Sequence, residues 1–428
     1  MTKRRLQSLR EHVRTSLWFM PALFALGAVL LAFILLNVDR QLSSTASFLV
    51  VYGGGADGAR GVLSTIAQSM LTFTGLVFTI TMLVLQLAST QLSPRVMRTF
   101  LRDRNNQAVL GLFVATFVYT LLILRDVRAE ADGSDAFVPG LAIWVAFALL
   151  LASVAAFIYY IDHMAHAIRA STVIANIAHE TEQAIERLYP EGVGARGAEG
   201  RRRSEIVEDA GVVLKAPRAG VLVSVDDGSL LRTADARDRS VEVLPAIGEF
   251  LPYGAPMARL SGHWDREAAD AIRAALVIED ERSMDQDAAF GFRQLVDIAV
   301  RALSPGTNDP TTAVQALDRL HDLLRRLIGR EFPSPVRRDD SGRVLLVLPR
   351  PDWADYVELA VDEIRLAGES QLQIGRRLRY LLEDLLSVAP DDRKAVLRRE
   401  LALLESVVGG RRTWPEPGDD QSTEPAPS

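Results

Sequence analysis

Two groups of residues in this chain have the types and the spacing to do chemistry. The first is a ladder of Arg293, Asp297 and Arg301 at i, i+4 and i+8, which alternates charge along one helix face. It leads into Ser304-Pro-Gly-Thr-Asn-Asp-Pro310-Thr-Thr-Ala, where Ser304, Thr307, Asn308, Asp309 and Thr311 cluster. A helix starting at Pro310 leaves N–H groups without helical partners. With Arg301 one turn away, they form a candidate site for an anion or a nucleotide phosphate. Asp309 argues the other way. As N-cap it occupies those N–H groups itself and makes the turn a well-capped connection. The second group is Thr65, Gln68, Thr72, Gly75, Thr79 and Gln86, at steps of three, four or seven. Such residues share one helix face. This stripe is either a surface on which helices pack and hydrogen-bond or the wall of a water-filled or ion-conducting path.

Other chemistry has no residues to carry it. The chain has no Cys, which excludes thiolate zinc sites, iron–sulfur clusters and cysteine nucleophiles. His163 and His166 sit at i, i+3, but two ligands are too few for a metal site. No P-loop, GxSxG elbow or HExxH helix occurs. The expectation is a non-enzymatic protein with no catalytic residues, no metal and no cofactor.

The elements that must position these residues follow from composition. The 428 residues carry 48 Lys+Arg and 54 Asp+Glu, a net charge of −6. That average joins two unlike parts. Residues 1–161 hold 13 basic and 8 acidic residues, and residues 162–428 hold 35 and 46. The first part contains four uncharged runs, at 17–36, 62–88, 107–124 and 136–161. Each is long enough to cross a bilayer core of about 30 Å as a helix. Lys3, Arg4, Arg5, Arg10 and Arg14 precede the first run, and Arg95, Arg98, Arg102 and Arg104 precede the third. Cation-rich flanks stay inside, so both termini are expected in the cytoplasm. No Asp, Glu, Lys or Arg lies within any run, which argues against a proton relay or ion-coupled transport on buried charges.

The remainder reads as a cytoplasmic module. The fourth helix is expected to run on toward Tyr189-Pro190, and a Gly/Arg/Glu-rich linker completes the stretch 162–210. Residues 211–262 switch to short β-rich runs broken by Gly and Pro, a small β subdomain. Its phrases Lys215-Ala-Pro-Arg-Ala-Gly220-Val and Ile247-Gly-Glu-Phe-Leu-Pro-Tyr-Gly254-Ala-Pro resemble the half-motifs of a biotinyl/lipoyl-type barrel-sandwich. No Lys stands at a hairpin tip, so a spacer or oligomer contact fits better than a prosthetic-group carrier. Residues 263–410 read as a helical subdomain, with a capping box Ser283-x-x-Gln286 opening the helix that ends near Leu303. One apolar strand is expected at 343–348. Residues 411–428 read as a disordered tail.

The fold class expected is thus a mostly α membrane protein: four transmembrane helices, then a β (barrel-sandwich-like) and a helical subdomain. The chain also resembles a family of bacterial predicted integral membrane proteins, domain of unknown function 2254. The resemblance rests on Ser16-Leu-Trp-Phe-Met-Pro21, Gly55-Ala-Asp-Gly-Ala-Arg60, Gln91-Leu-Ser-Pro-Arg95 and Arg102-Asp-Arg-Asn-Asn-Gln107. It rests also on Asp287-Ala-Ala-Phe-Gly-Phe-Arg-Gln-Leu-Val-Asp297 and on the 301–312 stretch. The resemblance implies four spanning helices and one cytoplasmic region, and no activity.

Two functional classes follow. One is an oligomeric channel-like or transport-related protein with a cytoplasmic regulatory module, whose plan is similar to small-conductance mechanosensitive channels at the level of fold alone. The other is a membrane-anchored sensor or scaffold whose cytoplasmic helical hairpin binds a ligand or protein. The expected partners are the lipid bilayer, further copies of the chain, and an unidentified small ligand or ion. An acidic module argues against nucleic acid but suits contact with the basic loop Arg95–Arg104. A pore puts the stripe on a symmetry axis. A sensor buries it within one subunit and opens a pocket at Arg293, Asp297, Arg301 and Asn308.

Overall fold

A computed structural model describes residues 19–43, 53, 55–91, 104–128, 137–167, 169–189 and 210–409. The basic N-terminal segment, most of the Arg95–Arg104 stretch, residues 190–209, where the linker is expected, and residues 410–428, with the expected tail, lie outside the described residues. The chain divides into two compact units, residues 1–172 and 173–428.

The first unit holds α1 (Phe19–Ser43), α2 (Gly55–Gln91), α3 (Arg104–Asp126) and α4 (Gly140–Ala167). Among the described residues, four helices are long and apolar enough to cross a membrane, over Phe19–Gln41, Gly55–Gln86, Asn105–Asp126 and Gly140–His166. All four extend past the end of their uncharged run, α2 and α3 at both ends and α1 and α4 at the C-terminal end. A charge-free run marks what hydrocarbon tolerates, whereas a helix continues as long as its backbone ladder does. At 37 residues, α2 is about 55 Å long, well beyond a bilayer core of about 30 Å.

α3 is the hub and packs against α1, α2 and α4. Gly111 of α3 lies under the Phe24 ring of α1, where a Cβ would come within 3.0 Å of the ring, so the missing side chain is what lets the helices close. Phe73, Phe113 and Phe157 join α2, α3 and α4. The rings of Phe73 and Phe157 stack at 4.8 Å, and Phe113 tilts toward Phe73 at 5.8 Å. Several polar side chains inside the bundle are paired, as hydrocarbon favours, although the Asn106 Oδ1 near the start of α3 is buried without a hydrogen-bond partner. The Thr81 and Tyr160 hydroxyls lie 2.7 Å apart, those of Thr116 and Ser153 3.2 Å apart, and Tyr119 donates to the Ala142 carbonyl at 2.9 Å.

α5 (Ala170–Leu188) is a separate helix and not a continuation of α4. The N–H of Arg169 reaches only three residues back, to the His166 carbonyl, and the α-helical ladder is interrupted there. The helix ends just before Tyr189-Pro190, where proline restricts the preceding residue.

The second unit contains two small sheets. Its strands are β1 (Ala210–Lys215), β2 (Gly220–Val225), β3 (Val241–Val243), β4 (Phe250–Leu251), β5 (Pro256–Ser261), β6 (Leu276–Glu279), β7 (Val336–Arg338) and β8 (Val344–Val347). One sheet runs β1-β5-β3-β8-β7 and the other β4-β2-β6. All pairs are antiparallel except β3 with β8, where Val241 faces Leu346. Two short helices, α6 (Asp227–Asp235) and α7 (Arg266–Ala275), pack together. One apolar core joins both sheets and these helices through Leu222, Leu230, Val241, Met257, Ile272 and Leu346.

The rest of the unit is α8 (Ala288–Ala302), α9 (Pro310–Leu327), α10 (Trp353–Ala367), α11 (Leu372–Val388) and α12 (Lys394–Gly409). α8 and α9 form the antiparallel hairpin that the polar turn implied, and α11 packs on α9 and α12. α8 starts four residues later than the Ser283-x-x-Gln286 pattern suggested. Asp287 is its cap, accepting from the Phe290 N–H at 3.1 Å and held by Arg282 at 2.8 Å. The Gln286 carbonyl is used elsewhere, accepting from the Val225 N–H of β2 at 2.9 Å.

Candidate functional site

The stripe on α2 faces away from its own bundle. Ala59, Leu63, Ile66, Met70, Val77 and Val84 are buried against the other helices. At about 100° per residue, Thr65, Gln68, Thr72, Gly75, Thr79 and Gln86 lie on the opposite side, and all six are exposed. Exposed Leu71, Phe78 and Met82 flank the stripe on one side and Leu76 and Leu83 on the other. The hydroxyls of Thr65, Thr72 and Thr79 each donate to the carbonyl four residues back, at 2.8, 3.0 and 2.9 Å. Their protons are therefore satisfied, and their outward lone pairs can only accept. The Gln68 side-chain amide makes no hydrogen bond among the described residues. It lies eight residues, about 12 Å, from Arg60, whose guanidinium donates to the Val127 carbonyl just past the end of α3.

The hairpin turn is occupied by its own groups. Asp309 caps α9, accepting from the Thr312 N–H at 3.1 Å and the Thr312 hydroxyl at 2.6 Å. The Thr312 hydroxyl bond is the largest cause holding its pKa below the ordinary carboxylate value. Asn308 adopts a left-handed φ of 44°, a conformation Asn tolerates better than most residues. Its carbonyl accepts from the Gln371 amide at 3.0 Å. Ser304 donates to the Arg301 carbonyl, and Thr307 and Asn308 send their N–H groups to the Ser304 carbonyl. Thr307, Thr311 and Arg301 are exposed. Arg293 lies on the same helix as Arg301 but is engaged elsewhere. It bonds Asp297 at 2.7 Å and grips Glu363 of α10 with two bonds of 2.5 Å, and the Glu363 bonds hold its pKa above the usual guanidinium value. The structure thus brings Ser304, Thr307, Asn308, Asp309 and Thr311 together at one turn and commits Arg293 to a helix–helix tie.

Residues 14–384 match a family described as predicted membrane protein, DUF2254. The chain belongs to the DUF2254 family. Uncharacterized proteins from Mycobacterium bovis and Mycobacterium tuberculosis are 32% identical to it over 425 residues, covering 97% of this chain and 80% of theirs. No solved structure matches.

Two features of this DUF2254 chain escaped the sequence. Asp39, at the end of α1, is 6% exposed and accepts from the N–H groups of Leu141 and Ala142, at 3.1 and 3.0 Å. It caps α4 from a different helix. The only signal was an acid just past an apolar run. The other is His321, buried between α9 and α11 against Asp384 and Arg377. No local motif marks a pairing across 63 residues. No group of three or more His, Cys, Asp or Glu among the described residues could hold a metal ion.

Proposed function

We propose that this DUF2254 protein is a non-enzymatic, channel-like or transport-related membrane assembly, built by self-association of its spanning helices along the α2 stripe. Its β and helical subdomains act as a cytoplasmic regulatory module. The reading places it in the bacterial inner membrane with both termini in the cytoplasm, as the cation-rich flanks favour. One observation carries it: the polar face of α2 lies opposite the core and is exposed in a single copy. Polar side chains at bilayer depth must face protein or water, and a second copy or a central aqueous path supplies one or the other. The sensor reading needs that face buried within one subunit and Arg293 free to meet a ligand, and the exposed stripe and the Arg293–Glu363 tie favour assembly instead.

The chain has no Cys, so single cysteines report contacts without background. In vesicles, Thr65→Cys, Thr72→Cys and Thr79→Cys are expected to form disulfide-linked dimers on mild oxidation, while Leu71→Cys and Phe78→Cys do so far less. Reconstituted into planar bilayers, the wild type is expected to conduct, with or without tension. Equal cross-linking on and off the stripe removes the assembly, and silent bilayers remove the channel.

A further inference from the structure

His321 lies on α9 with 9% of its surface exposed, and both ring nitrogens are engaged by α11. Nε2 is 2.8 Å from Asp384 Oδ2, and Nδ1 is 3.0 Å from Arg377 Nη2. A guanidinium can only donate, so Nδ1 must be a bare acceptor. The ring proton is then on Nε2, donated to Asp384, and the imidazole is neutral. The partners are held in turn. Arg377 Nε bonds Asp318 of α9 at 2.6 Å, its guanidinium lies 5.3 Å over the Tyr380 ring, and Asp384 is gripped by Arg325 of α9. The Tyr380 ring meets the imidazole edge-on at 5.9 Å.

We propose that His321 is a proton-sensitive joint between α9 and α11, closed while its Nδ1 accepts from Arg377 and opened when that nitrogen takes a proton. Protonation converts an acceptor facing an N–H into an N–H facing an N–H. It also sets two cations 3.0 Å apart in a largely buried place, and no rotation of the ring offers the Arg377 Nη2 an acceptor again. The charged and titratable groups that face the ring are Arg325 on its own helix, with Asp318 behind Arg377, and Arg377, Tyr380 and Asp384 on α11. No group of α8 or α10, which also pack on α9, bonds to it among the described residues.

The electrostatics agree with this geometry. Burial pushes the His321 pKa below its ordinary value and Arg377 pushes it further, against the opposing pull of Asp384. The Arg325 bond holds Asp384 below the usual carboxylate range, so that partner stays ionised through the window. A histidine depressed in the folded state favours the neutral form. The joint is therefore intact above the unfolded value of about 6.5. It weakens as pH falls from there toward the folded value, and changes no further below it.

The test is hydrogen exchange, corrected for the intrinsic pH dependence of the chemistry, on the full chain in lipid nanodiscs between pH 8 and 5. Protection of α11 facing α9 is expected to fall with acid, by about tenfold for each unit the folded pKa lies below 6.5. His321→Asn keeps an acceptor near the Nδ1 position and cannot titrate, so its α11 profile is expected to be flat. Arg377→Gln removes the cation facing Nδ1 and is expected to move the wild-type midpoint to higher pH. A flat wild type, or an unchanged acid response in His321→Asn, overturns the proposal. Should His321→Asn not fold, an unmoved midpoint in Arg377→Gln overturns it alone.

Discussion

Replacing Asp39 by Ala should be among the most damaging single changes in the membrane unit, although Asp39 lies just beyond its apolar run. The N–H groups of a first helical turn have no partner within the helix, and the positive end of the helix dipole favours a carboxylate there. In α4, the Leu141 and Ala142 N–H groups are met by the two oxygens of Asp39. Neighbouring ties brace the same end of the bundle: Arg40 bonds Asp126 at 2.5 Å and lies over the Phe137 ring at 5.9 Å. Water cannot readily replace a side chain only 6% exposed. Hydrogen bonds to a charged group contribute about 1.5–3 kcal/mol each, whereas caps measured by substitution cost about 0.5–2 kcal/mol. Because one bond is buried and the other partly so, a loss of about 2–4 kcal/mol is expected, between one strong bond and two. At about 1.4 kcal/mol per tenfold, that raises the unfolding constant roughly 30- to 700-fold. Asp39→Asn keeps one acceptor and should fall between wild type and Asp39→Ala. The measurement is reversible unfolding of the full chain in mixed micelles by denaturing detergent, read by circular dichroism. An Asp39→Ala protein within about 0.5 kcal/mol of wild type, the range of ordinary surface changes, refutes the claim that this carboxylate joins α1 to α4.

The remaining predictions concern the second unit. Asp309→Ala should cost about 1 kcal/mol as a lost cap, measured by thermal unfolding. Since its folded pKa is depressed, the cap's contribution should be present above about pH 4 and disappear as acid protonates the folded carboxylate. Asn308→Gly should unfold close to wild type because glycine accepts a φ of 44°, while Asn308→Val should be distinctly less stable. Arg301→Ala, at an exposed position, should change stability by under about 0.5 kcal/mol, so any larger loss in a conductance assay would mark a functional role. Gly291→Ala places a Cβ 1.9 Å from the Thr181 hydroxyl of α5. The resulting overpacking should lower the melting temperature with a cost of about 1–3 kcal/mol.

Legibility in this chain follows the range of the interaction that decides each feature. The spanning helices were readable because hydrocarbon imposes its demand locally, over about 20 residues. The start of α9 was readable because Asp309 and Pro310 carry the whole cap within three positions. The start of α8 was misread for the opposite reason. Gln286 has the type and spacing of a capping-box residue, but its carbonyl is claimed by Val225, 61 residues away. Asp287 then does the capping with Arg282 behind it. The strand at 344–347 was visible as an apolar run, yet its parallel partner β3 lies about a hundred residues earlier, a pairing that no local pattern encodes. His321 and Asp384 meet only because α9 and α11 pack together.

The α2 stripe shows where a correct pattern stops short of a mechanism. Periodicity put its six residues on one face, but a face has a direction only once its neighbours are known. Direction alone does not measure the drive to assemble either. Three of the five hydroxyls or amides on the stripe are threonines that bond their own backbone, so lipid costs them little. Gly61 and Gly75 have nothing within 4 Å of where a Cβ would stand, which leaves room for close approach and supplies no attraction of its own. The demand concentrates in the Gln68 amide, which shares its face with Thr65 and Thr72, whose hydroxyl protons are already donated to the backbone. In the proposed assembly a second copy would bring that face against its like, donor against acceptor, and interhelical bonds of this kind contribute about 0.6–2 kcal/mol each in a membrane. That is enough to set the register between helices but small against the whole of an assembly. In the proposed assembly, association through α2 would therefore draw most of its strength from close packing at the glycines and the flanking apolar side chains, with Gln68 choosing which packing is adopted.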